Sequence, residues 1–460
     1  MKSQKPNIIL ITIDALRLDH LDCYGYRRNT SPYIDSLAAK GVLFSQAISN
    51  GGQTPDAFPS ILASAQPRVA HFGSIWRPRT MLAEKLKEVG YQTAALHSNP
   101  LLSRYHGYDR GFDLFSDGLG ESGLFRRRIW VRTKVGSLHS LANKTLRKLS
   151  KILSPVLSRV GQEPIITAEM INNRALSWLK GHREGFFLWL HYMDVHSPYL
   201  ASPQYLRQFH DQPVTRRKII KLCREMLEDP AKLSPDEVTT LINLYDAQIR
   251  YVDDNICSLL TSLDGDLTNT IIIITADHGE EFGEHGKFGH RSLYDGIMRV
   301  PLIIVGPGIK AGTVVNKQVS LIDLAPTITD MVGIDSVPYF QGQSMLPVVE
   351  GVESTARGTI SIFNELGSGR RHIAYRTPDW KYIRTESLGE VVTLLSEELY
   401  HLRNDPKEGH NLHGLGDGEA KAFKLEAVNK ILELKRLKRE EETAYEKERI
   451  RAKLKKIPKL

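Results

Sequence analysis

The stretch IIIITADHGEEFGEHGKFGH, Ile271 to His290, decides how the rest of the chain is read. It opens with four isoleucines and a threonine, a continuous apolar β-branched run of the kind that forms a strand buried on both faces. The run ends abruptly at Asp277, His278, Gly279 and Glu280. An open α/β sheet places its chemistry beyond the carboxyl ends of its strands, which is where this carboxylate and imidazole fall. Glu281, Glu284, His285, Lys287 and His290 follow, interleaved with glycines that let a backbone approach a ligand closely. So dense a set of oxygen and nitrogen ligand types points to a functional loop rather than an ordinary polar turn.

Working outward, Asn7 to Ile13 reads as a second buried strand with Asp14 at its carboxyl end. Gln92 to Leu96, Phe186 to His191 and Val300 to Val305 read as further strands. Ser31-Pro32 starts a helix that runs to Lys40, with Pro at its first position. Further helices are expected at Phe58 to Ser64, after a turn at Thr54-Pro55, and at Thr80 to Val89 and Asp323 to Met331. Ser234-Pro235-Asp236-Glu237 is a capping box whose helix reaches Leu263. Strands alternating with helices predict an α/β fold: a large, mostly parallel sheet sandwiched by helices, over residues 1–340. After about Gly342 the texture changes. HIAYRT and WKYIRT are short, alternating and rich in β-branched and aromatic residues, which predicts a small C-terminal α+β subdomain with an antiparallel sheet over residues 341–415. Residues 416–460 are dense in Lys, Arg and Glu with sparse leucines and read as a charged helix or tail.

The chain has 460 residues, 41% hydrophobic and 25% charged, the make-up of a soluble globular protein. Cys23, Cys223 and Cys257 lie too far apart for a disulfide framework or a zinc knuckle and fit a reducing compartment. The first apolar run is too short for a signal peptide, and no run reaches the length of a membrane span, so the expected location is cytoplasmic. The net charge is +8. About ten Lys or Arg against Glu121 lie between residues 121 and 160, roughly the whole excess. Within this insertion, about 118–165, Leu138, Leu141, Leu149, Leu153, Val156 and Val160 recur at helical spacing with Lys144, Arg147, Lys148 and Lys151 between them. That pattern is a basic amphipathic helix. It reads either as a packed helix with a solvated face or as peripheral contact with an anionic membrane, or a cover over an acidic substrate, through 138–160. Nucleic acid is not an expected partner, because no aromatic-interleaved platform is present.

Asp14 and the Asp277–His278 pair end separate strands, and a divalent cation needs ligands brought together in that way. Between them lies SNGGQTPDAFPSILAS, with Thr54 in a Gly-rich turn just before a short helix. A hydroxyl there is placed for a cation to lower its pKa, with a helix N-terminus to stabilise an anion.

These motifs occur in a longer pattern that resembles the sulfatase family of the alkaline phosphatase superfamily. It is carried by PNIILITIDALRLDHLDCYGY, SPYIDSLAAKGVLF, HYMDVHSPY, TADHGEEFGEHGKFGH followed by LYDGIMRVPLIIVGPG, SLIDLAPTITDMVG and ELYHLRNDPKEGHNL, in the family's order and over most of the chain. The resemblance implies a hydrolase of sulfuric or phosphoric esters. It implies that Asp14, Asp277 and His278 are metal ligands and that Thr54 is the nucleophile and also touches the metal. It places His196 where the family contacts the ester or leaving group, and His290 where many sulfatases have a lysine reaching the sulfate. His285 and Lys287 are further substrate-binding candidates, and Asn99 is a donor to a non-bridging oxygen.

Three departures qualify that reading. Thr54, Pro55, Asp56, Ala57 and Phe58 stand where sulfatases carry a CxPSR-type motif whose Cys or Ser becomes formylglycine, and Thr cannot give that aldehyde. Ala15 replaces the second aspartate of the family's opening pair, and His97-Ser98-Asn99-Pro100 replaces its GKWH-like segment. The expected cofactor is therefore one divalent metal ion (Mn, Zn, Mg or Ca) and no formylglycine. His278, in place of an amide, favours manganese or zinc over calcium. The expected substrate is a small anionic ester, glycan- or lipid-linked, with phosphoester favoured over sulfate ester by Thr54. A transferase moving a phospho-alcohol group and a catalytically inactive binding member are the alternatives.

Overall fold

The structure, a computed structural model, describes residues 5–67, 79–118, 166–263, 266–335, 337–352, 357–365, 367–389, 391–415 and 418–454. The basic helix expected at 138–160 lies outside the described residues.

Eight strands form the main sheet. They are β1 (Asn7–Ile13), β2 (Val42–Phe44), β3 (Gln92–Leu96), β4 (Leu114–Ser116), β5 (Phe186–Tyr192), β6 (Thr270–Ala276), β7 (Leu302–Val305) and β8 (Thr313–Val315). Their order across the sheet is β8-β2-β7-β6-β1-β5-β3-β4. From β6 to β4 every pairing is parallel. The central three, β6, β1 and β5, are buried at every residue, as their unbroken apolar runs require. Their register sets Thr12 level with His191 on one side and with Thr275 on the other. The carboxyl ends of the central strands therefore converge at one edge.

The helices fall into two groups. Pro32–Lys40, Ala168–Leu179 and Arg216–Glu228 pack around the long Pro235–Thr261 helix, and Thr54–Ala63 and Leu82–Glu88 pack with Leu324–Met331. Apolar side chains of both groups join the strands in one core. The capping box is present: Ser234 Oγ accepts from Glu237 N, and the Glu237 carboxylate accepts from Ser234 N.

Two expectations are adjusted. The run Val300 to Val305 is broken at Pro301, which has no N–H to give a ladder. Arg299–Val300 pairs with Ala47–Ile48, and β7 continues in the main sheet antiparallel to β6. The helix expected at Phe58 starts four residues earlier, at Thr54. Proline is compatible with a first helical turn, so Pro55 extends the helix instead of preceding it. Thr54 thereby becomes the first helical residue.

The C-terminal subdomain is a four-stranded antiparallel meander of Thr359–Glu365, Arg370–Arg376, Trp380–Ser387 and Leu394–His401. The charged segment that follows is helical from Gly418 to Leu454. Ala420, Phe423, Ala427 and Ile431 lie on one stripe of it and pack against Ile373, Tyr375 and Tyr382 of the sheet. A buried ionic cluster joins the subdomain to the main domain. Asp295 accepts from Arg376 Nη2 (2.8 Å) and Lys381 Nζ (2.6 Å), and Lys381 also meets Glu408 (2.7 Å). Lys381 is fully buried, so removing one partner leaves an uncompensated charge at a cost of about 3–5 kcal/mol.

Candidate active site

Asp14 follows β1, His191 ends the apolar part of β5, and Asp277 and His278 follow β6. All four are buried. One ligand atom each of Asp14, His191 and Asp277 lies within 4.8 Å of the others. His278 Nε2 is 3.7 Å from Asp14 Oδ1 and 3.5 Å from Asp277 Oδ2.

The backbone around these residues is shaped to hold them. Ala15 is left-handed, with φ 59°, a conformation that costs a non-glycine residue roughly 1–2 kcal/mol. The Tyr245 hydroxyl fixes that turn, donating to Ala15 O (2.7 Å) and accepting from Arg17 N (2.8 Å). The turn aims Ala15 N at Asp277 Oδ1 (3.3 Å), which also accepts from His278 N (3.0 Å). Gly279 passes so close to the next segment that a Cβ would sit 2.1 Å from Gly296 O.

The second contacts of both imidazoles set their tautomers. His278 Nδ1 donates to Gly279 O (2.9 Å), leaving Nε2 with a free lone pair. Thr12 Oγ1 donates to Leu190 O (3.2 Å), so it accepts from Trp189 Nε1 (3.0 Å) and from His191 Nδ1 (3.0 Å). His191 Nε2 is thus also left as an acceptor. Asp14 Oδ1, Asp277 Oδ2, His191 Nε2 and His278 Nε2 are all buried and find no hydrogen-bond partner among the described residues. Unsatisfied buried polar atoms are costly. Two carboxylates and two imidazoles that converge with these four atoms unpaired fit a divalent cation of borderline character.

The charges agree with that fit. Burial alone would raise the Asp14 carboxyl, but His196, His191 and His278 outweigh it and hold Asp14 well below the usual carboxylate range. Asp277 is pushed up by burial and by the charge of Asp14. Two carboxylates competing in one dry site are what a bound cation relieves.

Thr54 opens its helix at this cluster, 5% exposed, and its Oγ1 donates to Asp14 Oδ2 (3.3 Å). Asn99, just beyond β3, donates from Nδ2 to the same oxygen (3.1 Å). Its Oδ1 accepts from Leu101 N (3.0 Å). His290 packs tilted against His278 with ring centres 4.5 Å apart, and His196 follows at 5.2 Å from His290. This row of rings leads from the buried cluster towards solvent, His290 being 25% exposed at its side chain. His196 Nδ1 donates to Ser197 O (2.6 Å). His290 Nδ1 meets Glu280 Oε1 (3.2 Å), and Glu280 Oε2 accepts from the Tyr199 hydroxyl (3.0 Å). Burial would lower His290, but the Glu280 carboxylate, with Asp14 and Asp277, raises it above the usual imidazole value.

The structure thus brings together Asp14, Thr54, Asn99, Asp277, His278, His290 and His196. It does not bring His285 or Lys287 to them. His285 bonds Glu281 Oε1 (2.6 Å) and Lys407 O (2.9 Å) and stacks on Tyr294 at 3.8 Å. Lys287 Nζ lies over the Tyr294 ring at 5.0 Å. Both side chains face the seam with the C-terminal subdomain. Sequence reasoning passed over two site residues, His191 and Glu280. His191 carries the same signal as Asp277, a polar residue at the carboxyl end of an apolar run. Spatially it stands beside Asp14, its Nε2 3.3 Å from Asp14 Oδ2.

The family model described as Sulfatase matches residues 6–334. The one described as N-sulphoglucosamine sulphohydrolase, C-terminal, matches residues 283–437. The chain is 25% identical to an arylsulfatase of Clostridium perfringens, with 95% of each chain covered. It is 23% identical to an N-acetylglucosamine-6-O-sulfatase of Bacteroides thetaiotaomicron, covering 96% of this chain and 87% of that one. Two solved structures share the fold. One is a protein in complex with its substrate D-glucosamine-2-N,6-O-disulfate (TM-score 0.71, 21% identity, 94% of this chain and 98% of that one). The other is the phosphonate monoester hydrolase of Agrobacterium radiobacter (TM-score 0.69, 21% identity, 94% and 96%).

Proposed function

The chain belongs to the sulfatase family, whose members are sulfuric ester hydrolases, and within it we propose a metal-dependent hydrolase that uses Thr54 as its nucleophile and prefers phosphoesters to sulfate esters. The observation that carries this reading is the Thr54 hydroxyl, buried at the head of its helix and hydrogen-bonded to Asp14 at 3.3 Å. Thr cannot become formylglycine, so the hydroxyl itself is the group available for attack.

Asp14, His191, Asp277 and His278 would hold the cation. When bound, it supplies positive charge that acidifies a neighbouring hydroxyl and offsets the charge on an ester oxygen. Asp14 Oδ2 orients the Thr54 hydroxyl. Asn99 Nδ2 is a donor on the same side for a non-bridging oxygen. Thr54 passes its proton to Asp14 Oδ2, the acceptor of its hydrogen bond, as Oγ1 bonds to phosphorus and the bond to the leaving oxygen breaks, and that oxygen takes a proton from His290 or His196 at the outer end of the site. Water then cleaves the Thr54 ester, the histidine regaining a proton from the water and Thr54 regaining its own from Asp14, so that phosphate (or, from a diester, the remaining phosphomonoester) is released. Glu280 and Tyr199 hold His290 in place for the proton transfer.

A small ester carried on a sugar is the substrate class best supported. One curated relative is an N-acetylglucosamine-6-O-sulfatase, and one fold neighbour is bound to a sulfated glucosamine. The phosphonate monoester hydrolase among the neighbours supports phosphorus chemistry on this scaffold. No helix among the described residues is long and apolar enough to cross a membrane. The test is covalent trapping. Acid quench of the manganese-loaded enzyme during turnover of a nitrophenyl phosphodiester should leave a phosphoryl adduct on the peptide containing Thr54. An adduct on another residue, or steady turnover unchanged in Thr54→Ala, refutes the assignment.

A further inference from the structure

We propose that Asn364, on the C-terminal subdomain, is a positioning residue for Thr54, acting through Asp56. This rests on Thr54 being the nucleophile. The first strand of the subdomain, Thr359–Glu365, runs along the segment that leads into Thr54. Ile362 N donates to Asn50 O (2.9 Å), Gly52 N donates to Ile362 O (3.1 Å), and Ser361 Oγ donates to Ser49 O (2.6 Å). Gln53 Nε2 donates to Asn364 O (3.1 Å). The contact closes on Asp56, in the same helical turn as Thr54. Asp56 Oδ1 accepts from Asn364 Nδ2 (2.7 Å), and Oδ2 accepts from Asn364 N (3.1 Å) and Gln53 Nε2 (2.8 Å). Asn364 Oδ1 accepts in turn from Arg371 Nε (3.1 Å), which fixes the orientation of the amide. Asp56, Asn364 and Arg371 are 2%, 4% and 5% exposed. Gly51 lies against this turn so tightly that a Cβ would stand 2.2 Å from the Asp56 carbonyl carbon.

An amide is required at position 364 because one face must accept from a guanidinium while the other donates to a carboxylate. Leucine would leave Asp56 Oδ1 and Arg371 Nε without these partners, and aspartate would set two carboxylates against each other. The subdomain thereby fixes where the first turn of the Thr54 helix sits, and with it the distance from Thr54 Oγ1 to Asp14. A nucleophile shifted by about an ångström loses on the order of a hundredfold in rate.

The test compares Asn364→Ala, the exchanged pair Asp56→Asn with Asn364→Asp, and Tyr294→Phe in the full-length, manganese-loaded protein. Tyr294 donates to Glu398 (2.7 Å) elsewhere in the same seam and serves as the interface control. kcat and KM are read on a nitrophenyl phosphodiester, and hydrogen–deuterium exchange is read on peptides spanning residues 50–57. Asn364→Ala should lower kcat by about tenfold or more with KM within about twofold, and should speed exchange in residues 50–57. The exchanged pair should recover most of both, and Tyr294→Phe should change neither. Wild-type kcat and exchange in Asn364→Ala, or losses that the exchanged pair does not repair, overturn the proposal. Should the wild type turn over no phosphodiester, the function reading fails, and the exchange rates of residues 50–57 alone decide whether Asn364 holds this turn.

Discussion

Asp277→Asn is expected to stabilise the metal-free protein while abolishing its response to metal. Asp14 and Asp277 present ligand atoms within 4.8 Å of each other in a fully buried site. Two unit charges at that distance repel by about 3 kcal/mol at an effective dielectric constant near 20. Asp277 is already pushed towards its neutral form by burial and by Asp14, so the relief is a fraction of that, on the order of 1–2 kcal/mol at pH 8. The amide keeps an oxygen for the two backbone donors, Ala15 N and His278 N. Both of those backbone hydrogen bonds are therefore kept. Manganese at a hundred times its Kd should add about 2.7 kcal/mol to the wild type and almost nothing to the variant. Urea unfolding in EDTA and in manganese should therefore rank the two proteins in opposite orders. A variant less stable than wild type in EDTA, with an undiminished manganese shift, would refute the assignment of these carboxylates to a cation site.

Two further outcomes follow, one at the site and one elsewhere in the core. His191→Gln should weaken manganese binding by at least about tenfold in calorimetry while leaving the fold intact, because it removes an imidazole whose Nε2 faces Asp14 Oδ2 at 3.3 Å; unchanged affinity would leave His191 a packing role only, against the Phe58 ring at 5.0 Å and Thr12. Stability should also fall as pH rises through the range set by Asp194. Burial pushes that carboxyl from 3.8 up to about 7, so the folded protein keeps a proton that the unfolded chain releases. The resulting stabilisation is complete below about pH 4 and is lost as pH rises through 7, at up to roughly 1.4 kcal/mol per unit. Asp194→Asn, which keeps an acceptor for Ala168 N, should gain on the wild type in urea unfolding from pH 5 to pH 8; a constant difference across that range would contradict the shift.

The sheet was legible because its central strands are buried on both faces. Burial of that kind needs unbroken apolar runs, and a polar residue marks where each run stops. Asp14 and the Asp277–His278 pair stood out for that reason. His191 also closes an apolar run, near the end of Phe186–Tyr192, but it stands alone there, without the adjacent second ligand type that marks Asp277–His278. Only the register that sets it level with Thr12 brings it to Asp14. His285 and Lys287 were nominated by their nearness in sequence to His278. The chain between them is a hairpin, with Glu281–Phe282 paired to Phe288–Gly289, and it carries its tip away to Lys407 before His290 returns to the site. The role of the C-terminal subdomain at Thr54 was not legible at all, since Asp56 and Asn364 are separated by 308 positions and neither belongs to a local pattern.

The central claim is that Thr54, not a formylglycine, carries the reaction. It is tested most directly by offering the metal-loaded protein nitrophenyl sulfate, nitrophenyl phosphate and a nitrophenyl phosphodiester side by side, with Thr54→Ala in parallel. The account predicts turnover of a phosphorus ester that disappears in Thr54→Ala while manganese binding is retained. Sulfate turnover in preference to both phosphorus esters, or activity that survives loss of the Thr54 hydroxyl, would contradict it.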